Sequence, residues 1–301
     1  MERSSQGSIS LPCLLLSLLL ALFSVPLLLW SGREAARERE FIRAQQLRLL
    51  CATFLQGKSR QEVPAGEYVW YEGVLEPGSE NVKVTAKSSV SSDGLLNYLE
   101  AAAQPDKNVG AVQRLHRVQI NFSEAQQRLA GSCVLVAKTL QGEEFLPAEA
   151  IYIQASDEEV KLPQFSFLAG KLPKNLTAQS AVTTGLGAGF YYLPTGTLKF
   201  SAKQTVRGAS SIINSSNITI GAEAHFPDRL VLVSENSSIT LGQNVRLNKA
   251  LLMAKGTVTI AAGCNIKGLV IAKQIILQGK STLTPDSEVL ASFATPLYPN
   301  F

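Results

Sequence analysis

Hydrophobic residues are concentrated near the amino terminus of the chain and then give way to alternating charges. Ile9 to Trp30 is an apolar run without a charged residue, and at about 1.5 Å per residue it would cross a hydrocarbon core of ~30 Å. The following stretch, SGREAARERE FIRAQQLRLLCATFLQ, is rich in Ala, Arg, Glu, Gln and Leu, which are strong helix formers. The pattern therefore predicts one helix over residues 8–56, transmembrane in its first half.

The length of the apolar run bears on how the chain would be anchored. A cleaved secretory signal has an apolar core of about 7–15 residues followed by a small-residue cleavage site. The run here is longer, and its end, LLLWSGREAA, is a poor cleavage site. A plain membrane anchor is one interpretation, and a second depends on the polar leader that precedes the run.

The leader MERSSQG ends in Gly7 and is followed at once by Ser8 and the apolar run. It resembles the leader of type IV prepilins, in which a membrane peptidase cuts after the glycine and the apolar segment stays on the mature protein. The resemblance covers about the first 56 residues and implies processing between Gly7 and Ser8. It also implies that the apolar helix packs against its copies in a filament core. The residues assigned to this packing are Leu14, Leu15, Leu18, Leu22, Val25 and Leu29.

The leader departs from the pilin pattern at two positions. Pilins usually carry a glutamate five residues after the cut, where this chain has Pro12. Ser8 stands where an aromatic residue or Met is common. Some minor pilins at filament tips lack that glutamate, so the resemblance implies a minor or accessory subunit.

Two features of the amino-terminal region favour opposite orientations of the chain in the membrane. One is the distribution of arginines beside the apolar run, and the other is the prepilin-like leader. Four arginines follow the run within residues 33–43, whereas only Arg3 precedes it, which by the positive-inside rule would leave the C-terminal part in the cytoplasm. Glutamates interleave with these arginines at helical spacing and support the helix. The prepilin-like leader implies the other orientation. The expected localisation is therefore the bacterial inner membrane, single-pass, with the C-terminal part extracytoplasmic.

Short strand-like runs follow the helix. EYVWYEGVLEP and VKVTAKSSV have the composition or alternation of strands, whereas LLNYLEAAA is predicted to be a short helix. Residues 57–164 are therefore expected to be an α+β module whose small antiparallel sheet covers the apolar face of the long helix. That face consists of Phe41, Leu47, Leu50 and Phe54. Residues 165–196 are predicted to be a linker, whose GLGAG segment lacks the spacing and the following helix of a dinucleotide site.

A repeat of short apolar strands occupies residues 197–291. ITIG at residue 218 recurs as ITLG at 239, VTIA at 258 and IILQ at 275, at spacings of 21, 19 and 17 residues, with a second apolar strand between each pair. This repeat predicts a β-solenoid, whose coils stack about 4.8 Å apart and share one interior. Alternation would place Thr219, Thr240 and Thr259 outside. Residues 292–301 are predicted to be a C-terminal tail.

The corners of such coils need residues that tolerate tight turns. The candidates are Gly221, Gly242, Asn244, Gly263 and Asn265. The repeat also resembles the β-helical core of bactofilins, which are bacterial polymerising scaffold proteins. An ordinary β-sandwich with regularly spaced strands is the alternative. The fold class expected for the chain is α+β, with a long N-terminal transmembrane helix, a small antiparallel sheet module and a C-terminal β-solenoid.

Composition and motifs argue against catalysis. The 301 residues carry a net charge of only +4, so no basic surface points to nucleic acid, and none is expected as a partner. His116 and His225 are the only histidines, and no G-x-S-x-G, S-x-x-K or H-E-x-x-H motif is present. A bridge between Cys51 and Cys133 stays open beside the alternative of buried free thiols. We expect no enzyme, no cofactor and no metal.

These features together indicate a structural or assembly protein. The expected function is that of a minor pilin-like subunit of a type IV pilus, type II secretion or DNA-uptake filament. Its partners would be other pilin-like subunits, the assembly machinery, a prepilin peptidase and the lipid bilayer. The alternatives are a membrane-anchored bactofilin-like scaffold, a surface solenoid that binds a cell-wall polymer, and a eukaryotic single-pass protein glycosylated at its N-x-[S/T] sequons. These sequons begin at Asn121, Asn175, Asn214, Asn217 and Asn236.

Overall fold

The helix and strands of this chain form three layers: helix, antiparallel sheet and solenoid. Over the described residues the chain is mostly β, with one α-helix, a four-stranded antiparallel sheet and a twelve-stranded sheet of parallel strands. The computed structural model describes residues 10–57, 65–74, 81–106, 112–120, 134–172 and 189–286.

The first element, α1 (Ser10–Gly57), is a continuous helix of 48 residues. The predicted transmembrane helix is wrong, because within the described part of the chain no helix combines the length and the apolar character that a membrane crossing needs. Arg and Glu occupy nearly every turn of α1 between residues 33 and 43, so this charged part of the helix cannot contribute to an apolar span. The α+β class is corrected as well, since the described elements after α1 are strands and two short 3-10 helices.

Four antiparallel strands follow in chain order: β1 (Gly66–Val74), β2 (Asn81–Val90), β3 (Leu96–Pro105) and β4 (Gln113–Ile120). The segment LLNYLEAAA, predicted to be a helix, forms most of β3. Leu99 and Ala101 of this strand face α1, whereas Leu96 and Tyr98 face the solenoid. Because both faces of β3 are buried, its sequence lacks the polar–apolar alternation that marks a half-exposed strand.

The last third of α1 packs on this sheet. Leu47 and Phe54 are buried there as predicted, Leu50 is partly buried, and Phe41 is exposed. Arg117 of β4 is also buried, and its Nη1 donates a hydrogen bond to the carbonyl oxygen of Leu55 at 2.9 Å. This bond satisfies one of the carbonyls that the end of a helix leaves unpaired.

The predicted β-solenoid is confirmed and has about seven turns. Its strands, all paired in parallel, are β5 (Leu135–Gln141), β6 (Tyr152–Gln154), β7 (Gly189–Leu193), β8 (Leu198–Phe200), β9 (Ser210–Asn214), β10 (Ile218–Ile220), β11 (His225–Phe226), β12 (Leu230–Ser234), β13 (Ile239–Leu241), β14 (Arg246–Ile260), β15 (Asn265–Leu277) and β16 (Thr282–Thr284). The strands form three rows. The first row contains β7, β9 and β12, the second β8, β10 and β13, and the third β11 and β16, while β14 and β15 cross two corners and join all three.

The repeated ITI-type strands stack in the second row. Ile218 pairs with Ile239, and Val258 follows Ile239 in the same register. These side chains are fully buried, whereas Thr219 and Thr240 between the buried positions point outward. Alternation therefore sets the inside and the outside of each coil as predicted.

The end of the stack is built from residues that precede the repeat in the chain. β5 pairs in parallel with β15, and β6 pairs with β5, so that Val270, Leu135 and Tyr152 lie in successive strands of the first row. The first row is buried on both sides, because its outer face contacts the antiparallel sheet and the 3-10 helix Phe165–Leu168. The sheet thus lies between α1 and the solenoid.

One corner of the solenoid repeats a left-handed backbone conformation in four successive coils. The residues in this column are Lys203, Glu223, Asn244 and Gly263, with φ values of 60°, 60°, 57° and 76°. Two of the predicted corner residues lie in the column. Gly221 and Gly242 lie just before it, and a Cβ on Gly221 would be 2.4 Å from the backbone nitrogen of Ala202. Asn265 instead begins β15.

Candidate functional site

The residues that the sequence assigned to processing and helix packing are only partly placed by the structure. Gly7 and Ser8 lie outside the described residues. Leu14, Leu15, Leu18, Leu22 and Val25 belong to α1, but their side chains lie outside the described part of the structure. Leu29 is exposed over 61% of its surface. Before Leu28, the only side chain of α1 that the structure describes is that of Ser24.

An apolar seam runs along the exposed part of α1. Leu28, Ala35, Ile42 and Leu49 are all exposed and stand seven residues apart. Seven residues fall about 20° short of two helical turns, so these side chains form a nearly straight line on one face. Leu49 lies about 200° around the helix from the buried Leu47. The apolar seam thus faces away from the antiparallel sheet.

Charged and aromatic residues flank the apolar seam. Phe41 is 65% exposed beside Ile42, and with Arg37 and Glu38 these residues line a shallow hollow of about 280 Å³. Nη1 of Arg37 lies 3.1 Å from Oε1 of Glu34, an ion pair within the same helix. Exposed apolar residues that are rimmed by charges are candidates for an interaction surface, although those of the seam are about 10 Å apart along the helix. The seam is therefore the candidate assembly surface.

Lys255, Lys273 and Lys138 form a column of lysines, which is a second candidate site. The sequence analysis did not predict it. Lys255, Lys273 and Lys138 each follow an alanine, and these three alanines pair with one another in successive strands of the first row. The sequence carries a signal for this column, because an apolar residue, Ala and Lys occur together as VAK, MAK and IAK at the three places. Only the register of β5 against β15 brings Lys138 into the column.

The buried titratable side chains of the middle sheet have structural partners. The hydroxyl of Tyr98 donates a hydrogen bond to the carbonyl oxygen of Lys171 and lies 2.6 Å from Nδ1 of His116. Burial lowers the pKa of His116, while it raises the pKa of Tyr98, with the charge of Glu100 acting in the same direction on Tyr98. This network joins the antiparallel sheet to the segment that follows the second 3-10 helix.

The described cysteines are buried free thiols. Burial raises the pKa of Cys51 to about 11 and raises the pKa of Cys264 as well, so neither thiol is activated as a nucleophile. Cys133, the proposed partner of Cys51, lies outside the described residues. Over the described ranges no three His, Cys, Asp or Glu side chains gather as metal ligands.

The sequons differ in accessibility. Asn214 is fully buried, and its Nδ2 donates a hydrogen bond to the carbonyl oxygen of Asn217 at 2.9 Å, so it is closed to glycosylation. Asn217 and Asn236 are exposed. Asn121 and Asn175 lie outside the described residues.

No protein-family model, curated protein or solved structure matches this chain. The resemblance of the leader to prepilins and of the repeat to bactofilins therefore has no support from relatives. The β-solenoid itself rests on the strand pairing described above.

Proposed function

We propose that this protein is a minor pilin-like structural subunit of a filament, of the kind found in type IV pili, type II secretion or DNA uptake. In this proposal α1 packs against the equivalent helices of other pilin-like subunits. The observation that carries it is the apolar seam of Leu28, Ala35, Ile42 and Leu49. Apolar residues at one position of successive heptads supply one half of the a/d pattern of helix–helix packing, while the positions three residues further on are Ser31, Glu38 and Gln45.

The energetics of the seam favour many neighbours over a single pair. Burying one Leu or Ile side chain contributes about 1.5–3 kcal/mol. Association of two proteins costs about 4–15 kcal/mol in lost freedom. Leu28, Ile42 and Leu49 are already partly covered, with exposures of 70%, 56% and 64%, so one helix pair gains little beyond that cost. In a filament each helix meets several others, which multiplies the buried area.

The charges beside the seam support a partner of the same kind. Arg33, Glu34, Arg37 and Glu38 alternate in sign along the helix. A second helix with the same sequence presents opposite charges after a small axial shift, and such pairs set register and orientation. The partner that fits this surface is therefore another helix with alternating charges.

The sheet and the solenoid have a supporting role in this proposal. Leu47, Cys51, Phe54 and Leu55 fix the last third of α1 to the antiparallel sheet. The solenoid lies on the other face of that sheet, away from the seam. The β-rich body can therefore project from an assembly whose contacts are made by α1.

Two adjacent alanines provide a matched test of the seam. Ala35 lies on the seam and Ala36 lies about 100° away, and both are exposed. Ala35→Asp should weaken self-association of the full chain at least about tenfold, or about 1.4 kcal/mol, because its carboxylate would be buried without a partner. Ala36→Asp has the same intrinsic helix cost and should leave association unchanged. Sedimentation velocity over a range of concentrations measures both, and equal behaviour of the two variants would contradict the proposal.

The pilin part of the proposal has its own test. In cells that contain an active prepilin peptidase, mass spectrometry of the mature amino terminus should find Ser8. An intact Met1 or Glu2 terminus in those cells would exclude pilin-like processing. That result would leave the seam as an assembly surface of another kind of scaffold.

A further inference from the structure

The lysine column lies on one line along the solenoid. Ala254 pairs with Ala272, and Ala272 pairs with Ala137, so Lys255, Lys273 and Lys138 each follow one of three stacked alanines. Lys273 and Lys138 are in register, whereas a bulge after Ala254 places Lys255 and Gly256 together opposite Lys273. Neighbouring strands are about 4.8 Å apart. The three lysine side chains therefore leave neighbouring strands on the same side of the first row, which are about 5 Å apart along the solenoid axis.

Such a column is unfavourable for the fold alone, since like charges on adjacent strands repel each other. Lys138 forms an ion pair with Asp157, and Nζ of Lys255 lies 3.5 Å from Oδ1 of Asn236. The side chain of Lys273, in the middle of the column, is exposed and makes no hydrogen bond or ion pair with another described residue. Its charge is available to a ligand.

The lysine column forms one wall of a cleft of about 640 Å³. The segment 157–166 forms the opposite wall and is tied down at three points. The backbone nitrogen of Gln164 donates to Oδ2 of Asp93 at 3.0 Å, and that of Ser166 donates to Oε1 of Glu235 at 2.8 Å. The third point is the ion pair between Lys138 and Asp157. The cleft is thus formed before any ligand binds, which lowers the entropic cost of binding.

We propose that this cleft binds an extended acidic glycan, with the lysine column contacting carboxylates or sulfates along the sugar chain. Lysine ammonium groups bind anions as point charges and do not require one fixed ligand geometry. The amides of Gln164 and Asn236 and the carboxylate of Asp157 line the same cleft and suit sugar hydroxyls. The inference is independent of the proposed assembly role of α1.

The composition of the cleft argues against denser polyanions. Asp157 and Glu235 place two carboxylates among four lysines, which disfavours a ligand with a charge at every unit, such as polyphosphate. The described lining contains no aromatic side chain on which nucleic-acid bases could stack. A sparsely charged chain with many hydroxyls fits both observations.

Titration of the full chain with oligogalacturonate by isothermal calorimetry tests the proposal. Binding should weaken as salt rises from low to high ionic strength, because exposed ion pairs are screened. The double variant Lys255→Gln and Lys273→Gln should reduce the affinity at least about tenfold. The matched control is Lys199→Gln with Lys280→Gln, which removes the same charge from exposed positions outside the cleft and should leave affinity unchanged.

Titrations with other ligands decide the chemical class of the molecule that the cleft binds. Fully methyl-esterified oligogalacturonate has the same sugar backbone without the charge and should not bind. Equal binding of the ester, an equal loss in both double variants, or no binding of the acid form would overturn the proposal. Tighter binding of polyphosphate or oligothymidylate would overturn the assignment to a glycan.

Discussion

The hydroxyl oxygen of Tyr98 lies 2.6 Å from Nδ1 of His116 and 2.7 Å from the carbonyl oxygen of Lys171. A carbonyl oxygen only accepts hydrogen bonds, so the single phenolic proton is donated to Lys171. Nδ1 of His116 must then carry a proton and donate to Tyr98. The contact therefore selects one neutral tautomer of His116 and links the antiparallel sheet to the segment beside the solenoid.

This arrangement predicts a pH-dependent stability. Burial is the largest cause that lowers the pKa of His116, the charge of Arg114 lowers it further, and Glu100 opposes both. The unfolded chain takes up a proton near pH 6.5, whereas the folded chain resists protonation until a lower pH. The unfolding free energy should therefore fall below about pH 6.5, by at most about 1.4 kcal/mol per pH unit. Urea unfolding at pH 7 and pH 5.5 measures this slope.

The two histidines allow the slope to be assigned. His116→Gln removes the titrating group and should flatten the dependence between pH 7 and pH 5.5. His225→Gln, at the first residue of β11, is the matched control for the loss of a histidine. If His116→Gln and the wild type show the same slope, another group is responsible.

Phe41 and Phe54 of α1 predict where the helix is anchored. Phe54 is buried in the core between α1 and the sheet, and its ring centroid lies 5.0 Å from that of Trp70. Phe54→Ala should lower the unfolding free energy by about 3–5 kcal/mol, because it leaves a cavity. Phe41→Ala should change it by no more than about 0.5 kcal/mol, since Phe41 is exposed. Thermal unfolding followed by circular dichroism compares them, and similar losses would contradict this anchoring.

A glycine in the first row predicts how closely the coils stack. Gly268 has a φ of 151°, and a Cβ added there would lie 1.9 Å from the carbonyl oxygen of Ala250 in the preceding coil. Gly268→Ala should cost at least about 2 kcal/mol, because backbone cannot move aside as a flexible side chain does. Gly32→Ala in α1 has open space around it and should not lower stability, since Ala is favoured in a helix by about 1 kcal/mol. Denaturation midpoints of the two variants give the comparison, and an unchanged midpoint for Gly268→Ala would show that the coils can separate locally.

Several features of the fold are readable from the sequence because they depend on local periodicity. Helix-forming residues over 8–56 lie close to the observed helix Ser10–Gly57, although the transmembrane assignment was wrong. The repeat of ITI-type strands predicted the solenoid, since stacked coils must return an apolar pair to the interior every ~20 residues. The apolar seam is also a sequence pattern, but its exposure is known only once Leu47 and Phe54 are seen to face the sheet.

The tertiary structure decided what depends on distant neighbours. LLNYLEAAA became β3 because two different layers bury its two faces, a context that no local propensity contains. Lys138 lies in the lysine column because β5 pairs with β15, a strand that comes more than a hundred residues after β5 in the chain. The sequence by itself determined the periodic elements of this protein. The tertiary structure decided their partners, because pairing and burial are set by contacts between segments far apart in sequence.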